Sequence, residues 1–155
     1  MIKKFLIIGL VLLSISACGP QVNMGDIELV LADRIEAFRV AVEGGDVERI
    51  ADFYSQDDRF WWVEDGRAAY PDYQTMKSSL EGLINAVEKT EMDIKSIGLN
   101  VIDEQMAVVF FDYEQKLTMK NGYTFEINGA STVHMIKEED TWRFLYGHSS
   151  TLKER

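Results

Sequence analysis

Several residue types are scarce in this chain of 155 residues, and each scarcity excludes something. There is one cysteine, Cys18, and there are two histidines, His134 and His148. A lone thiol has no internal disulfide partner. Two histidines outside any helical pair, with no cysteine to help them, make no zinc set, so no metal and no other cofactor is expected. Bases are few: 16 Lys and Arg stand against 26 Asp and Glu, for a net charge of −10. A surface this acidic repels phosphate and argues against nucleic acid as a partner. It also repels anionic headgroups, so membrane attachment has to come from something other than a basic patch. No G-x-S-x-G sequence supplies a nucleophile. No apolar run reaches the roughly 18 residues of a membrane-spanning helix. No repeat and no low-complexity stretch interrupts the chain.

What is present begins with a short greasy start. Lys3 and Lys4 precede Phe5–Ile15, where only Gly9 and Ser14 are less than apolar. That length suits the core of a signal peptide. Small residues Ser16 and Ala17 follow, then Cys18. The run Ile15-Ser16-Ala17-Cys18 resembles the lipobox of bacterial lipoproteins. The resemblance implies a diacylglyceryl group on the Cys18 sulfur and cleavage just before it. Residues 1–17 are then the signal peptide, 18–25 a lipidated tether and 26–155 the folded domain. Two or more acyl chains give stable anchoring, at about 0.8 kcal/mol per buried CH2. The expected location is the bacterial cell envelope. Gly19 after the cysteine, rather than Asp, leans towards an outer membrane facing the periplasm in a Gram-negative cell. The plainer alternatives are an ordinary signal peptide with a stray cysteine, or a buried N-terminal helix.

The whole chain is 46% hydrophobic and 27% charged, the balance of a globular domain. Ile27, Val30, Leu31, Ile35, Phe38 and Val42 fall on one helical stripe, which Gly44-Gly45 stops. Asp46 caps a second helix over Val47–Tyr54. Arg59–Glu64 reads as a short strand turned by Asp65-Gly66. Pro71 suits the first turn of a third helix, whose stripe Tyr73, Met76, Leu80, Leu83, Ile84 and Val87 runs to about Glu88. The period then becomes two. Met92–Val101 alternates with a phase slip at Ser96, which predicts a bulge. Met106–Met119 is a long strand, and Asn121-Gly122 signals a two-residue hairpin. Tyr123–Lys137 returns with a kink at Gly129. Residues 138–140 turn the chain into a last strand, Trp142–Ser150. Helices first and a meander of strands after them predict an α+β fold.

This pattern resembles the nuclear transport factor 2-like superfamily, in its SnoaL-like branch, over about Ile27–Ser150. The resemblance rests on the opening helix and "EGGDVERIADFYSQD" (43–57), on the helix from Pro71, and on "KEEDTWRFLYGHSS" (137–150) with Trp142, His148 and Ser150. It implies a cone: a strongly bent antiparallel sheet with the N-terminal helices on its concave face and a pocket at the wide end. It also implies small-molecule binding, isomerase, dehydratase or cyclase chemistry, or assembly through the sheet. The fold does not choose among these.

The residues narrow the choice. On 106–119 the face Ala107, Val109, Phe111, Tyr113, Gln115, Leu117 and Met119 is nearly all apolar and is expected to meet the helices. Tyr113 and Gln115 bring polar groups inside, where a phenol needs a partner in a pocket or in the core. Phe60 and Trp62 point one way and Trp61 the other. With Tyr54, Tyr70 and Tyr73 they form an aromatic pocket mouth, or ordinary core plus one interface tryptophan. On the last strand, Trp142, Phe144, Tyr146, His148 and Ser150 are expected to share a face that lines the cone or meets a second subunit. The leading expectation is a binding domain for a small apolar or aromatic molecule at Tyr54, Trp62, Tyr73, Phe111, Tyr113 and Gln115, with no assured catalysis. Two alternatives stand beside it. One is a lyase or isomerase using His148 as acid/base, paired with Asp112 or Glu126. The other is a homodimeric interaction module with a vestigial pocket. A homodimer is expected in any case.

Overall fold

The computed structural model describes residues 23–152, so Cys18 and the signal-like segment lie outside it. Helix α1 spans Met24–Gly44. The Asn23 side chain accepts from the Gly25 amide at its start, and Gly45 at φ 63° stops it in the left-handed conformation that glycine tolerates best. Ile27, Leu31, Ile35, Phe38 and Ala41 form its buried stripe, whereas Val30, expected there, faces solvent. Helix α2 is Val47–Ala51, capped by Asp46, whose carboxylate accepts from the Arg49 amide at 3.2 Å. It ends three residues earlier than the pattern predicted. The backbone of Phe53 and Ser55 is taken by Phe144 instead, through bonds of 2.7 and 2.9 Å. Side-chain periodicity does not register that tertiary pairing.

Strand β1 is Trp61–Glu64 and β2 is Arg67–Tyr70. Only two residues join them. Asp65 and Gly66 both have positive φ, as a tight primed turn requires. The turn was legible; the second strand was not. Helix α3 is Tyr73–Ala86. Asp72 caps it by accepting from the Thr75 amide at 2.7 Å, so Pro71 stands before the cap rather than in the first turn. Strand β3, Val87–Val101, begins with no loop at all. Its pairing slips between Ile94 and Ser96, where the bulge was expected. Strands β4 (Met106–Met119), β5 (Thr124–Glu138) and β6 (Thr141–Thr151) follow. The β4–β5 connection is longer than the two residues predicted. Met119 and Tyr123 still bond across it, and Gly122 at φ 84° closes a three-residue loop.

The strands form one sheet in the order β2-β1-β6-β5-β4-β3. Neighbours are antiparallel except at β1–β6, which is parallel. The sheet is therefore mixed rather than purely antiparallel. Helices and sheet enclose one core. Phe38 of α1 meets Phe144 edge-on at 5.2 Å and Phe53 at 5.4 Å. Leu31, Ile35, Val109, Val133, Met135 and Phe144 have lost all contact with solvent. Each such side chain is worth about 1.5–3 kcal/mol of burial.

One irregularity redirects the last strand. The β5–β6 pairing steps from His134↔Tyr146 to Met135↔Phe144, and Leu145 is the extra residue. A bulge reverses alternation beyond it. Trp142 and Phe144 face the core as expected, but Tyr146 and His148 are turned outwards and exposed, with Gly147 buried between them. The predicted common face of Trp142, Phe144, Tyr146, His148 and Ser150 is split in two.

Candidate functional site

The concave side of the sheet is filled at one end and open at the other. Along β4 the inward residues run Ala107, Val109 and Phe111, all buried, then half-buried Tyr113 and Gln115. On β5 the same step goes from Met135 and Val133 to Ser131, and on β6 from Phe144 to Gly147 and Ser149. The change from apolar to polar or small residues opens a cavity of about 190 Å³. The sheet supplies Trp62, Glu64, Tyr70, Met92, Phe111, Tyr113, Gln115, Ser131 and Ser149 to it. Phe38, Val42, Ile50 and Tyr54 close one side. Met76, Ser79, Leu80, Leu83 and Ile84 of α3 close the other, at the i, i+3, i+4, i+7, i+8 spacing of one helical face.

Two glycines shape the aromatic walls. A Cβ on Gly147 would lie 2.0 Å from the Trp62 ring, so only glycine lets that indole rest across β6. A Cβ on Gly129 would lie 2.8 Å from the Tyr113 ring and hydroxyl. The β4–β5 pairing runs through Gly129 without a register shift. This glycine therefore makes room for Tyr113 rather than breaking the ladder.

A polar row crosses the floor. Glu64 pairs with Ser149 and Ser149 with Ser131. The two serine hydroxyls are 2.9 Å apart, and Ser131 also hydrogen-bonds Tyr113. Glu64 stands at the rim with much of its area in water, yet the walls still hold its carboxyl above the ordinary carboxylate range. Partial burial is the main cause, opposed by a hydrogen bond with Tyr70 and reinforced by the charge of Asp65. The Tyr70 hydroxyl lies 3.4 Å from Ser79 Oγ. Burial also raises the phenols of Tyr54, Tyr70 and Tyr113. Chemically, the arrangement offers an apolar slot with three phenols, three serine hydroxyls and one carboxyl. It is suited to hold a small molecule and orient one polar group.

The sequence profile of the SnoaL-like domain matches residues 31–154, most of the chain. The chain belongs to the SnoaL-like domain family. Solved structures similar to this SnoaL-like domain agree in fold. A nuclear transport factor 2-like superfamily protein from Salmonella enterica superposes with a TM-score of 0.74 at 12% identity, over 85% of this chain and 95% of that one. A putative scytalone dehydratase from Novosphingobium aromaticivorans gives 0.75 at 16% identity, over 84% and 89%. A ketosteroid isomerase-like protein from Erwinia carotovora atroseptica gives 0.66 at 16%, over 81% and 96%. No curated protein matches this SnoaL-like domain significantly in sequence.

Of the predicted binding residues, Tyr54, Trp62, Phe111, Tyr113 and Gln115 line the cavity of the SnoaL-like domain. Tyr73 does not. It continues the α3 stripe one turn past the cavity and packs on the core. His148, the acid/base candidate, is turned to the opposite face by the Leu145 bulge. It pairs with Val63 and Thr132 there, away from the cavity. Its proposed partners do not join it: Asp112 sits in the row Asp112–Ala130–Ser150 and accepts from Ser96, and Glu126 pairs with Lys116. Glu64, Ser131 and Ser149 were missed. For Glu64 the signal was available, because a residue two beyond an inward Trp62 also faces inward. Ser149 was hidden by the bulge. Among the described residues no three His, Cys, Asp or Glu side chains converge to hold a metal.

Proposed function

We propose that this SnoaL-like domain binds a small, largely apolar molecule and presents it from a lipid anchor on Cys18 in the bacterial envelope. The observation that carries the binding reading is the cavity: six aromatic side chains around a slot whose polar groups gather along one edge. An apolar cavity of about 150 Å³ accommodates benzene, so this one suits a single-ring ligand. Among the described residues no histidine or lysine lines it, so its serine hydroxyls have no nitrogen base beside them, which favours binding over turnover. Native mass spectrometry of the full chain from its own host tests the reading. A bound small molecule is expected, and Leu83→Trp at the mouth should expel it. A ligand retained in that variant would place binding elsewhere.

The anchor sets an orientation. Five residues, 19–23, separate Cys18 from α1, a reach of at most about 18 Å. The start of α1 lies beside Trp142, Gln105 and Lys137, at the filled end. A lipid on Cys18 would therefore leave the cavity pointing away from the bilayer, towards water-borne ligand. Mass spectrometry of the mature N-terminus checks the anchor, and an unmodified Cys18 would remove it.

A second reading concerns the outer face. Trp61, Tyr146, His134 and Val108 form one row across β1, β6, β5 and β4. Trp61, Tyr146, Phe110 and Met106 are all exposed there. We infer that a second copy covers this face. Sedimentation equilibrium of the full chain should give a dimer, and a strict monomer at all concentrations would refute it.

A further inference from the structure

Glu64 has a charge that the walls of the cavity do not balance. Elsewhere, carboxylates near the core meet a cation: Asp52 meets Arg34 and Arg143, Glu43 meets Arg39, and Glu138 meets Arg143. No ion pair among the described residues includes Glu64. Among the described residues, no Lys, Arg or His lines the cavity. Arg67 stands opposite Glu64 on the β1–β2 hairpin, but no ion pair joins the two. The groups that act on Glu64 are Tyr70 by hydrogen bond and Asp65 by charge, with Tyr54 and Tyr113 within its field. Tyr54 and Trp62 stand edge to face at 5.5 Å. A carboxylate beside several ring faces, with no base paired to it among the described residues, is the complement of an organic ammonium ion, which draws on both the charge and the ring quadrupoles. An anion would meet repulsion from Glu64 and from a chain of net charge −10.

We propose that the cavity takes a small organic cation: a single-ring amine whose ammonium group lies between Glu64 and the rings of Tyr54, Trp62, Tyr70 and Tyr113. The ring of the ligand would rest on Phe111 and Leu80. This rests on the cavity being the binding site and adds the ligand's charge.

Calorimetric titration of the full chain with three probes of similar size tests it: 2-phenylethylamine, 2-phenylethanol and phenylacetate. The amine should bind roughly tenfold tighter than the alcohol, and phenylacetate weakest. Glu64→Gln should abolish the amine's advantage and leave the alcohol within about twofold. Equal binding of amine and alcohol, or an amine advantage that survives Glu64→Gln, overturns the cationic assignment and leaves the cavity's binding role standing. If none of the three binds, the binding role falls as well. Tyr70→Phe serves as a second variant: it removes the hydroxyl on Glu64 but keeps the ring, so the amine's advantage should persist. Its loss there would count against a ring-and-carboxylate site.

Discussion

The two ends of the cavity-bearing face are built from the same strands and differ in almost everything else. At the filled end, Val109, Val133, Met135 and Phe144 are wholly buried against Leu31 and Ile35 of α1. At the open end, a few residues further along the same strands, Tyr113, Ser131 and Ser149 leave a slot. The charges differ too. Asp52, outside the filled end, is bound by Arg143 and Arg34, and Arg34 lies 3.8 Å over the Phe53 ring. Glu64, at the open end, hydrogen-bonds Tyr70 and enters no ion pair among the described residues. One end holds the fold together, and the other is left open, as the proposed ligand site requires.

If that division is right, substitutions should separate by end. The largest effect is expected from Phe144→Ala, which empties the contact with Phe38, Phe53, Tyr54 and Trp62. A loss of about 3–5 kcal/mol is expected in denaturant unfolding. Leu83→Ala at the open end, where the side chain is already 41% exposed, should cost well under half of that. Equal losses would erase the distinction. Gly147→Ala comes next and probes the boundary. Its new methyl would fall 2.0 Å from a rigid indole, so Trp62 or β6 has to move, at a cost of about 1–3 kcal/mol or more. Trp62 fluorescence should shift with it. An unchanged spectrum and melting temperature would show that the ring does not rest there.

The filled end was the more legible in the sequence, for a physical reason. Its signal is hydrophobic periodicity, and on α1 and β4 periodicity gave the buried stripe and the inward face almost residue for residue. The open end depends on features with weaker local signatures. Whether Ser149 or His148 faces inward is decided by one extra residue, Leu145, and nothing in Phe144-Leu145-Tyr146 declares a bulge. Tyr73 was misplaced because a helical stripe tells which face is inward but not where along the helix a cavity stops. Strand β2 escaped notice because a four-residue strand carries too few alternations to read. Gly129 and Gly147 were visible as mid-strand glycines, a known sign of close approach. What approaches them, Tyr113 and Trp62, comes only from the register.

Gly129→Ala gives a smaller effect of a different kind. The new Cβ would press on Cζ and the hydroxyl of Tyr113 at 2.8 Å and on the Ser150 carbonyl at 3.1 Å. The tyrosine tip has open space to move into, but the backbone does not, so a cost of about 1 kcal/mol is expected. Ligand affinity should fall more clearly than stability does. Tyr113→Phe separates the two contributions. It removes the hydrogen bond with Ser131 and keeps the ring, at about 0.5–1.5 kcal/mol. If the phenol only packs, its loss should leave the melting temperature and affinity alike untouched.

The smallest expected effect is in pH dependence, and its sign differs between the two ends. Asp52 is depressed below its ordinary value: burial works against the charged form, and Arg143 and Arg34 outweigh it. The unfolded chain then binds the proton more tightly. The stability from Asp52 is present above the ordinary aspartate range and is lost as pH falls through the depressed value. Glu64 is shifted the other way, chiefly by burial. Here the folded state holds the proton more tightly, so the contribution is present at pH below the ordinary glutamate range. It is lost as pH rises through the elevated value. Water at the rim keeps the Glu64 effect small. Urea unfolding across the acid range should therefore show a shallow fall in stability with rising pH that Glu64→Gln removes. Asp52→Asn should instead remove a rise. A Glu64→Gln curve parallel to wild type would mean that water balances this carboxylate already, and the contrast between the ends would then rest on packing alone.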